Sequence, residues 1–190
     1  MIRLALRCIP LLAVLAVAGC ANVQLDATSP TPATVEKLRM ANLSPAQAGA
    51  FKLAPGKNSA MDTTLGGLRG STLAPAKGRW SQFLKDTLVT ELTAAGLYDS
   101  VSRFVIEGQL TDSKVDAAIG TGTARLAARF IVTDRGKVVF DKKLAANASW
   151  ESSFYGAAAI PAAMNQYGAL YKKLVSNLID DPDFRRALAK

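Results

Sequence analysis

Two cysteines, Cys8 and Cys20, have the most distinctive chemistry in this 190-residue chain, because a thiol can attack, cross-link or bind a metal. The sequence contains no histidine, which is the commonest general base and a common metal ligand. This absence argues against Ser-His-Asp hydrolases, zinc enzymes and haem proteins. Paired carboxylates can perform acid–base chemistry without histidine. The acidic residues considered for that role are Asp112, Asp116, Asp134, Asp141 and Glu151.

The segment that ends at Cys20 is typical of an export signal. Arg3 and Arg7 precede an apolar run over residues 8–18, and Gly19 separates this run from Cys20. A membrane-spanning helix needs about 20 apolar residues, and this run reaches only about half that length. Residues 1–19 are therefore predicted to be a signal peptide. Cleavage after Ala16-Val17-Ala18, as in an ordinary secretory signal, is the alternative that the residues leave open.

The four residues Val17-Ala18-Gly19-Cys20 resemble the lipobox of bacterial lipoproteins. The resemblance implies that the Cys20 thiol receives a diacylglyceryl group, that the signal is removed, and that the new amine is acylated, for example with palmitate. Three saturated chains would make the attachment permanent, at about 0.8 kcal/mol for each buried CH2 group. In Gram-negative lipoproteins an aspartate after the cysteine favours the inner membrane. Ala21-Asn22 stand there instead, so the outer membrane is expected, with the domain facing the periplasm.

The mature chain is expected to comprise a tether and one domain. Residues 20–34 are polar and contain prolines, so they are predicted to be a flexible lipidated tether, and residues 35–190 a single periplasmic domain. Loss of Cys8 with the signal and lipidation of Cys20 leave no thiol for a disulfide. Without the two signal arginines the chain keeps 21 basic and 15 acidic side chains, a net charge of +6. These charges are scattered, so no nucleic-acid partner is expected, while contact with anionic lipid stays open.

Apolar periodicity predicts the elements that would position any site. A short helix over 35–41 and a strand over 46–53 precede residues 57–78, which are rich in glycine and are predicted to be a long loop and a candidate binding segment. Their glycines lack the Gly-Lys-Ser ending of a phosphate-binding loop. Apolar residues from Trp80 to Ala95 recur every three or four positions, which predicts an amphipathic helix that ends at Gly96.

Strict alternation of apolar and polar residues predicts three antiparallel strands between residues 103 and 150, with a hairpin at Asp134-Arg135-Gly136. A second amphipathic helix is predicted from Pro161 to Ile179. The predicted fold class is α+β. We expect a two-layer sandwich in which an antiparallel sheet of about four strands carries two amphipathic helices on one face.

Short structural motifs add a family resemblance. Besides the lipobox they are the helix over residues 83–96, the strand Ile106-Glu107-Gly108-Gln109-Leu110 and the hairpin over residues 136–141. The chain looks like a small envelope lipoprotein and is similar to the auxiliary lipoprotein component of ABC-type transport systems. It resembles, less closely, the periplasmic domains of curli-secretion and penicillin-binding-protein-activator lipoproteins. These families have no catalytic motif, so the resemblance assigns no catalytic residue.

Three functions are compatible with these patterns. The anchor, the tether and a sheet with one face free of helices favour a non-enzymatic accessory component that docks onto an envelope complex. Docking is expected through that sheet face or through the long loop over residues 57–78. The alternative is a lipoprotein that binds a lipid or small ligand between helices and sheet, and the candidate contacts for a partner or ligand are Trp80, Trp150 and Tyr155. A carboxylate-based enzyme is disfavoured because the acidic residues follow no converging spacing. No enzyme activity, metal or cofactor is expected.

We expect the substitution Cys20→Ala to abolish lipidation, since it removes the thiol that the lipobox presents. Cells grown with labelled palmitate should label the wild-type chain and leave the variant unlabelled. The variant should also leave the membrane fraction. A Cys8→Ala variant is the control, because Cys8 is lost with the signal, and it should label as the wild type does. Equal behaviour of the wild-type and Cys20→Ala chains would contradict the lipobox interpretation.

Overall fold

Alternating apolar and polar side chains produce the three long strands at the centre of the computed structural model, which describes residues 22–190. The predicted signal peptide, residues 1–19, and the predicted lipidation site, Cys20, lie outside the described residues. The strands are β1 Asn22–Leu25, β2 Gln47–Leu53, β3 Leu65–Leu68, β4 Ser71–Pro75, β5 Phe104–Asp116, β6 Gly120–Asp134 and β7 Lys137–Ser152. The helices are α1 Pro32–Met40, α2 Trp80–Ala95, α3 Gly156–Asp180 and α4 Pro182–Ala187, and a 3-10 turn spans Ser59–Asp62.

The larger sheet has the strand order β2-β5-β6-β7. β5, β6 and β7 form the predicted antiparallel meander, and Arg135-Gly136 form the hairpin turn between the last two strands. Both turn residues have a positive φ, 49° and 83°, as a type I′ hairpin requires. β2 pairs in parallel with β5, so the sheet is mixed and not antiparallel throughout. A parallel neighbour needs a long crossover, which the segment containing α2 supplies.

One face of this sheet is buried under α2 and α3. The buried side chains that the strands contribute include Ile106, Leu110, Leu126, Phe130 and Val132. The helices pack against them through buried side chains that recur every three or four residues, including Leu84, Leu88, Leu92, Leu174 and Leu178. Full burial of each such side chain contributes about 1.5–3 kcal/mol relative to exposure. The predicted α+β sandwich with its helices on one face is confirmed.

The two helices end and begin for local reasons. Gly96 closes α2 in the left-handed conformation, with φ of 76°, as its position in the sequence predicts. The predicted start of α3 at Pro161 is wrong, because the helix begins at Gly156. Three consecutive alanines, residues 157–159, have the highest helix propensity and extend the helix by more than one turn before the proline.

The long loop predicted for residues 57–78 is also wrong, because β3 and β4 form an antiparallel hairpin there. Leu65, Leu68 and Leu73 are buried and attach the hairpin to the core. At Gly67 the backbone has φ of 92°, and a Cβ atom would lie 2.0 Å from the Val115 carbonyl oxygen. Glycine therefore allows the hairpin to approach the end of β5. Glycine-rich composition obscured this strand pair in the sequence.

Residues 22–34 do not form the predicted flexible tether. Asn22–Leu25 pair in parallel with β4 and complete a second, three-stranded sheet of order β1-β4-β3. α1 begins at Pro32, and the backbone N–H of Thr31 donates to both carboxylate oxygens of the buried Glu91, at 2.9 and 3.1 Å. The segment thus binds the domain through backbone hydrogen bonds, which its polar composition does not reveal.

We expect Gly67→Ala to destabilise the fold by about 2 kcal/mol or more, because alanine at this φ is strained and its Cβ meets backbone. The neighbouring variant Gly66→Ala is a matched control, since a Cβ at Gly66 meets no atom within 4 Å. Its stability should stay within about 0.5 kcal/mol of the wild type. Thermal or urea denaturation monitored by circular dichroism measures both. Equal stability of the two variants would contradict the close approach of β3 to β5.

Candidate functional site

The space between the helices and the larger sheet is filled by an aromatic cluster. Trp80 is fully buried, with its ring centroid 5.0 Å from Tyr167 and 5.8 Å from Phe83. The Tyr167 hydroxyl hydrogen-bonds to the hydroxyls of Ser113, at 2.6 Å, and Tyr171, at 2.9 Å. Burial raises the pKa of both tyrosine hydroxyls, so they stay neutral and hold the core together. These side chains occupy the volume in which the alternative hypothesis puts a ligand.

The structure does not bring the three predicted contact residues into one site. Trp80 lies in the core, as described above. Trp150 lies on the inner face of β7, where its ring covers Gly122: a Cβ at that glycine would be 2.3 Å from the ring. Tyr155 is 73% exposed in the connection between β7 and α3. Only Tyr155 is therefore presented to solvent as a contact residue would be.

Two hollows lie on either side of the segment that follows β1. One, of about 230 Å³, is lined by residues that include Leu25, Thr28 and Phe83. The other, of about 270 Å³, extends from the same segment towards Met164 and Gly168 of α3. Pockets for drug-sized ligands usually measure about 300–1,000 Å³, so both hollows are small for that purpose. Neither is lined by the three predicted contact residues.

The outer face of the larger sheet carries no helix or strand of residues 22–190, since α2 and α3 cover the other side. Exposed side chains project from alternate positions of the last two strands. Those on β6 include Thr121, Thr123, Arg125 and Arg129, and those on β7 include Asp141, Lys143, Asn147, Ser149 and Glu151. We call this surface the open face.

Ion pairs between neighbouring strands order the open face. Arg129 donates from Nε to Asp141 at 2.6 Å, and its second bond makes the contact bidentate. These bonds hold the pKa of the Asp141 carboxyl below its usual range and raise that of the Arg129 guanidinium. Arg125 lies 2.9 Å from Asp112 across β5 and β6. The charged groups are thereby held at defined positions on a rigid sheet.

Three of the candidate catalytic carboxylates form ion pairs with arginines. Asp112 and Asp141 each contact an arginine, and Asp134 lies 3.4 Å from Arg103. Glycoside hydrolysis by paired carboxylates, for example, places the two groups on either side of the bond that is cleaved. The contacts of these three acids are instead with cations. Among residues 22–190, no group of three histidine, cysteine, aspartate or glutamate side chains is placed to hold a metal ion.

A second feature lies where the β5–β6 turn meets the connection from β7 to α3. Arg69, in the turn between β3 and β4, donates from Nε to the Ala117 carbonyl oxygen at 2.7 Å. Its Nη1 donates to the carbonyl oxygen of Phe154 at 2.7 Å, and its Nη2 donates to that of Ser153 at 2.5 Å. One guanidinium therefore ties three connections together. We call residues 69–70, 117–120 and 152–155 the loop end.

Large apolar side chains project from the loop end into solvent. Ile119 is 64% exposed, Phe154 72% and Tyr155 73%. The two aromatic rings contact each other edge to face, with centroids 5.7 Å apart. Grouped exposed apolar side chains mark surfaces that contact a partner or a membrane. Sequence reasoning named Tyr155 and missed Ile119 and Arg69, although a large apolar side chain in a predicted turn is a usable signal.

No protein-family model and no curated protein matches this sequence. Solved structures of similar shape include a Xanthomonas campestris protein of family DUF330, with a TM-score of 0.52 and 15% identity over 84% of this chain and 95% of that chain. A minor lipoprotein from Acinetobacter baumannii gives a TM-score of 0.45 and 15% identity over 78% and 98% of the two chains. The first likeness shows a shared fold. The finer resemblance to ABC-type transport auxiliary lipoproteins stays a prediction.

No helix in the described part of the chain is long and apolar enough to cross a membrane.

We expect Arg69→Leu to destabilise the protein by about 2–3 kcal/mol, because it removes charged hydrogen bonds and leaves partly buried carbonyl groups without a donor. Hydrogen exchange should accelerate at residues 117–119 and 153–156, which lose their shared tie. The control is Arg125→Leu, which removes an arginine from an exposed ion pair and should cost at most about 1 kcal/mol. Unchanged exchange at the loop end in Arg69→Leu would contradict the role given to Arg69.

Proposed function

We propose that this chain is a lipid-anchored protein of the bacterial cell envelope that acts without catalysis, by docking onto an envelope complex through the open face. The lipobox-like residues before and including Cys20 support the anchor. The observation that carries the docking function is the outer side of the larger sheet, on which no helix or strand of residues 22–190 lies, while α2 and α3 pack against the other side. The chain is expected at the outer membrane, because no aspartate follows Cys20.

The open face has the properties of a polar recognition surface. Its arginine–aspartate pairs leave the charges partly exposed, with 48% exposure for Arg129 and 57% for Arg125. Side chains already held in place lose less entropy when a partner binds. Interspersed charges of both signs favour a partner with the complementary pattern, and they give specificity and association rate more than affinity. Docking is therefore expected to weaken as the salt concentration rises.

The free edge of the sheet is a weaker candidate for docking than its face. β7 forms this edge, and β2 forms the other. An unpaired edge can accept a strand from another protein. Two side chains of α3 already bond to this edge: Asn177 donates to the Ala145 carbonyl oxygen at 3.1 Å, and Lys173 donates to that of Asn147 at 3.0 Å. These bonds occupy acceptors that an added strand would need. The face is the broader surface, and no helix or strand of residues 22–190 lies on it.

Site-specific photocrosslinking in living cells tests this proposal. We expect p-benzoylphenylalanine at Lys143, Asn147 or Ser149, which share the open face, to yield one adduct of the same mass from all three positions. The control positions Thr93 and Gln166, which are exposed on α2 and α3, should not yield it. The double substitution Arg125→Glu and Arg129→Glu should reduce the adduct from Asn147, because it reverses two charges of the surface.

Identical adducts from the helix positions and the open face would contradict docking through the face. So would the absence of any protein adduct from all three sheet positions. Adduct formation that is insensitive to the two arginine reversals would show that the ion-paired surface does not select the partner. Palmitate labelling of the same cells keeps failure of the anchor distinct from failure of docking.

A further inference from the structure

The loop end lies at the same end of the small sheet as Asn22, the first residue of β1. β1 runs parallel to β4, and Asn22 pairs with Thr72, one residue after β4 begins. The turn that precedes β4 contains Arg69, whose side chain bonds to the two connections of the loop end. β1 therefore begins beside the turn that carries Arg69.

The predicted anchor cannot be far from this position. Cys20 precedes Asn22 by two residues, and an extended chain spans at most about 3.6 Å per residue. The two Cα atoms are thus within about 7 Å of each other, whatever path the chain takes between them. An acylated Cys20 would hold the turn beside Thr72 close to the bilayer. A free tether of 15 residues, as predicted from the sequence, would have imposed no such orientation.

We propose that the loop end rests in the interface of the phospholipid bilayer, with Ile119, Phe154 and Tyr155 inserted among the headgroups. This inference rests on the proposed lipid anchor. The side chains suit that environment, since tyrosine is enriched at membrane interfaces and apolar side chains there enter the boundary between headgroups and acyl chains. In water these three side chains stay exposed and contribute no hydrophobic free energy. Insertion into the bilayer would provide that contribution.

The charge at the loop end matches lipid phosphate. The hydrogen-bond partners of Arg69 are carbonyl and hydroxyl oxygens, so these contacts leave its positive charge uncompensated. A cation in the same loop end as exposed aromatic rings can attract the phosphate groups of the lipid surface. The other exposed apolar side chains lie elsewhere. Val101, 85% exposed, precedes the opposite end of β5, a strand of 13 residues and about 40 Å in length.

Fluorescence depth measurement on the full, lipidated protein in vesicles of phosphatidylethanolamine and phosphatidylglycerol tests this arrangement. Acylation of Cys20 and removal of Cys8 leave one free thiol after a substitution to cysteine. An NBD label is attached at Ala118→Cys in the loop end or, as the control, at Ser100→Cys at the opposite end; both positions are exposed. We expect the Ala118 label to emit at shorter wavelength once the protein is bound to vesicles, and nitroxide-labelled lipid to quench it. The Ser100 label should show neither change.

A second pair of variants tests the named side chains. In the Ala118→Cys background, Phe154→Ser with Tyr155→Ser should abolish the quenching while the protein stays bound to the vesicles. Serine suits position 155, which is the N-cap of α3, so the fold should be retained. The matched control, Met40→Ser with Val101→Ser, removes two exposed apolar side chains elsewhere and should leave the quenching as it was.

The outcomes separate this inference from the proposed function. Vesicle-bound protein with an unquenched Ala118 label, or equal quenching at positions 118 and 100, overturns contact of the loop end with lipid. Quenching that survives the Phe154 and Tyr155 substitutions overturns the role of those side chains. Protein that takes up no palmitate and does not float with the vesicles overturns the anchor, and this inference is lost with it.

Discussion

Burial of one face of the larger sheet is the constraint on which the rest of this structure depends. β5, β6 and β7 place apolar side chains on a single side, and that side must be removed from water for the chain to fold. α2 and α3 provide the cover, with the aromatic cluster around Trp80 filling the space between the layers. Both amphipathic helices are used on this side. The opposite face carries polar side chains, and no helix or strand of residues 22–190 covers it.

The second, smaller sheet attaches the N-terminal segment to the domain. β1 is only four residues long and its side chains are half-buried at best, so backbone pairing with β4 supplies much of its attachment. Glu91 adds a second attachment point at the N–H of Thr31. Because of these bonds, residues 22–34 are part of the fold, although their polar composition is typical of a linker. A lipid at Cys20 would then be separated from β1 by a single residue, Ala21.

The two surfaces described above have different compositions and are placed at different parts of the sheet. The loop end presents large apolar side chains at the ends of the strands, whereas the open face presents ion pairs along their length. With the loop end in the interface, the long strands would rise from the bilayer and present the open face sideways. A neighbouring envelope protein could then approach this face without displacing lipid. Anchoring and docking would thus use separate groups of residues.

Local patterns determined much of this protein by themselves. Residue alternation predicts β5 to β7, apolar spacing predicts α2 and α3, and Arg135-Gly136 predicts the hairpin, because each signal resides in neighbouring residues. The pairing of β1 with β4, the parallel placement of β2 and the partners of Arg69 depend on contacts between distant parts of the chain. The composition of two of these segments predicted the opposite. Glycines in the β3–β4 hairpin predicted a loop, and prolines in the N-terminal segment predicted a flexible tether. Tertiary structure alone decided these features, because backbone pairing and loop contacts leave no local periodicity.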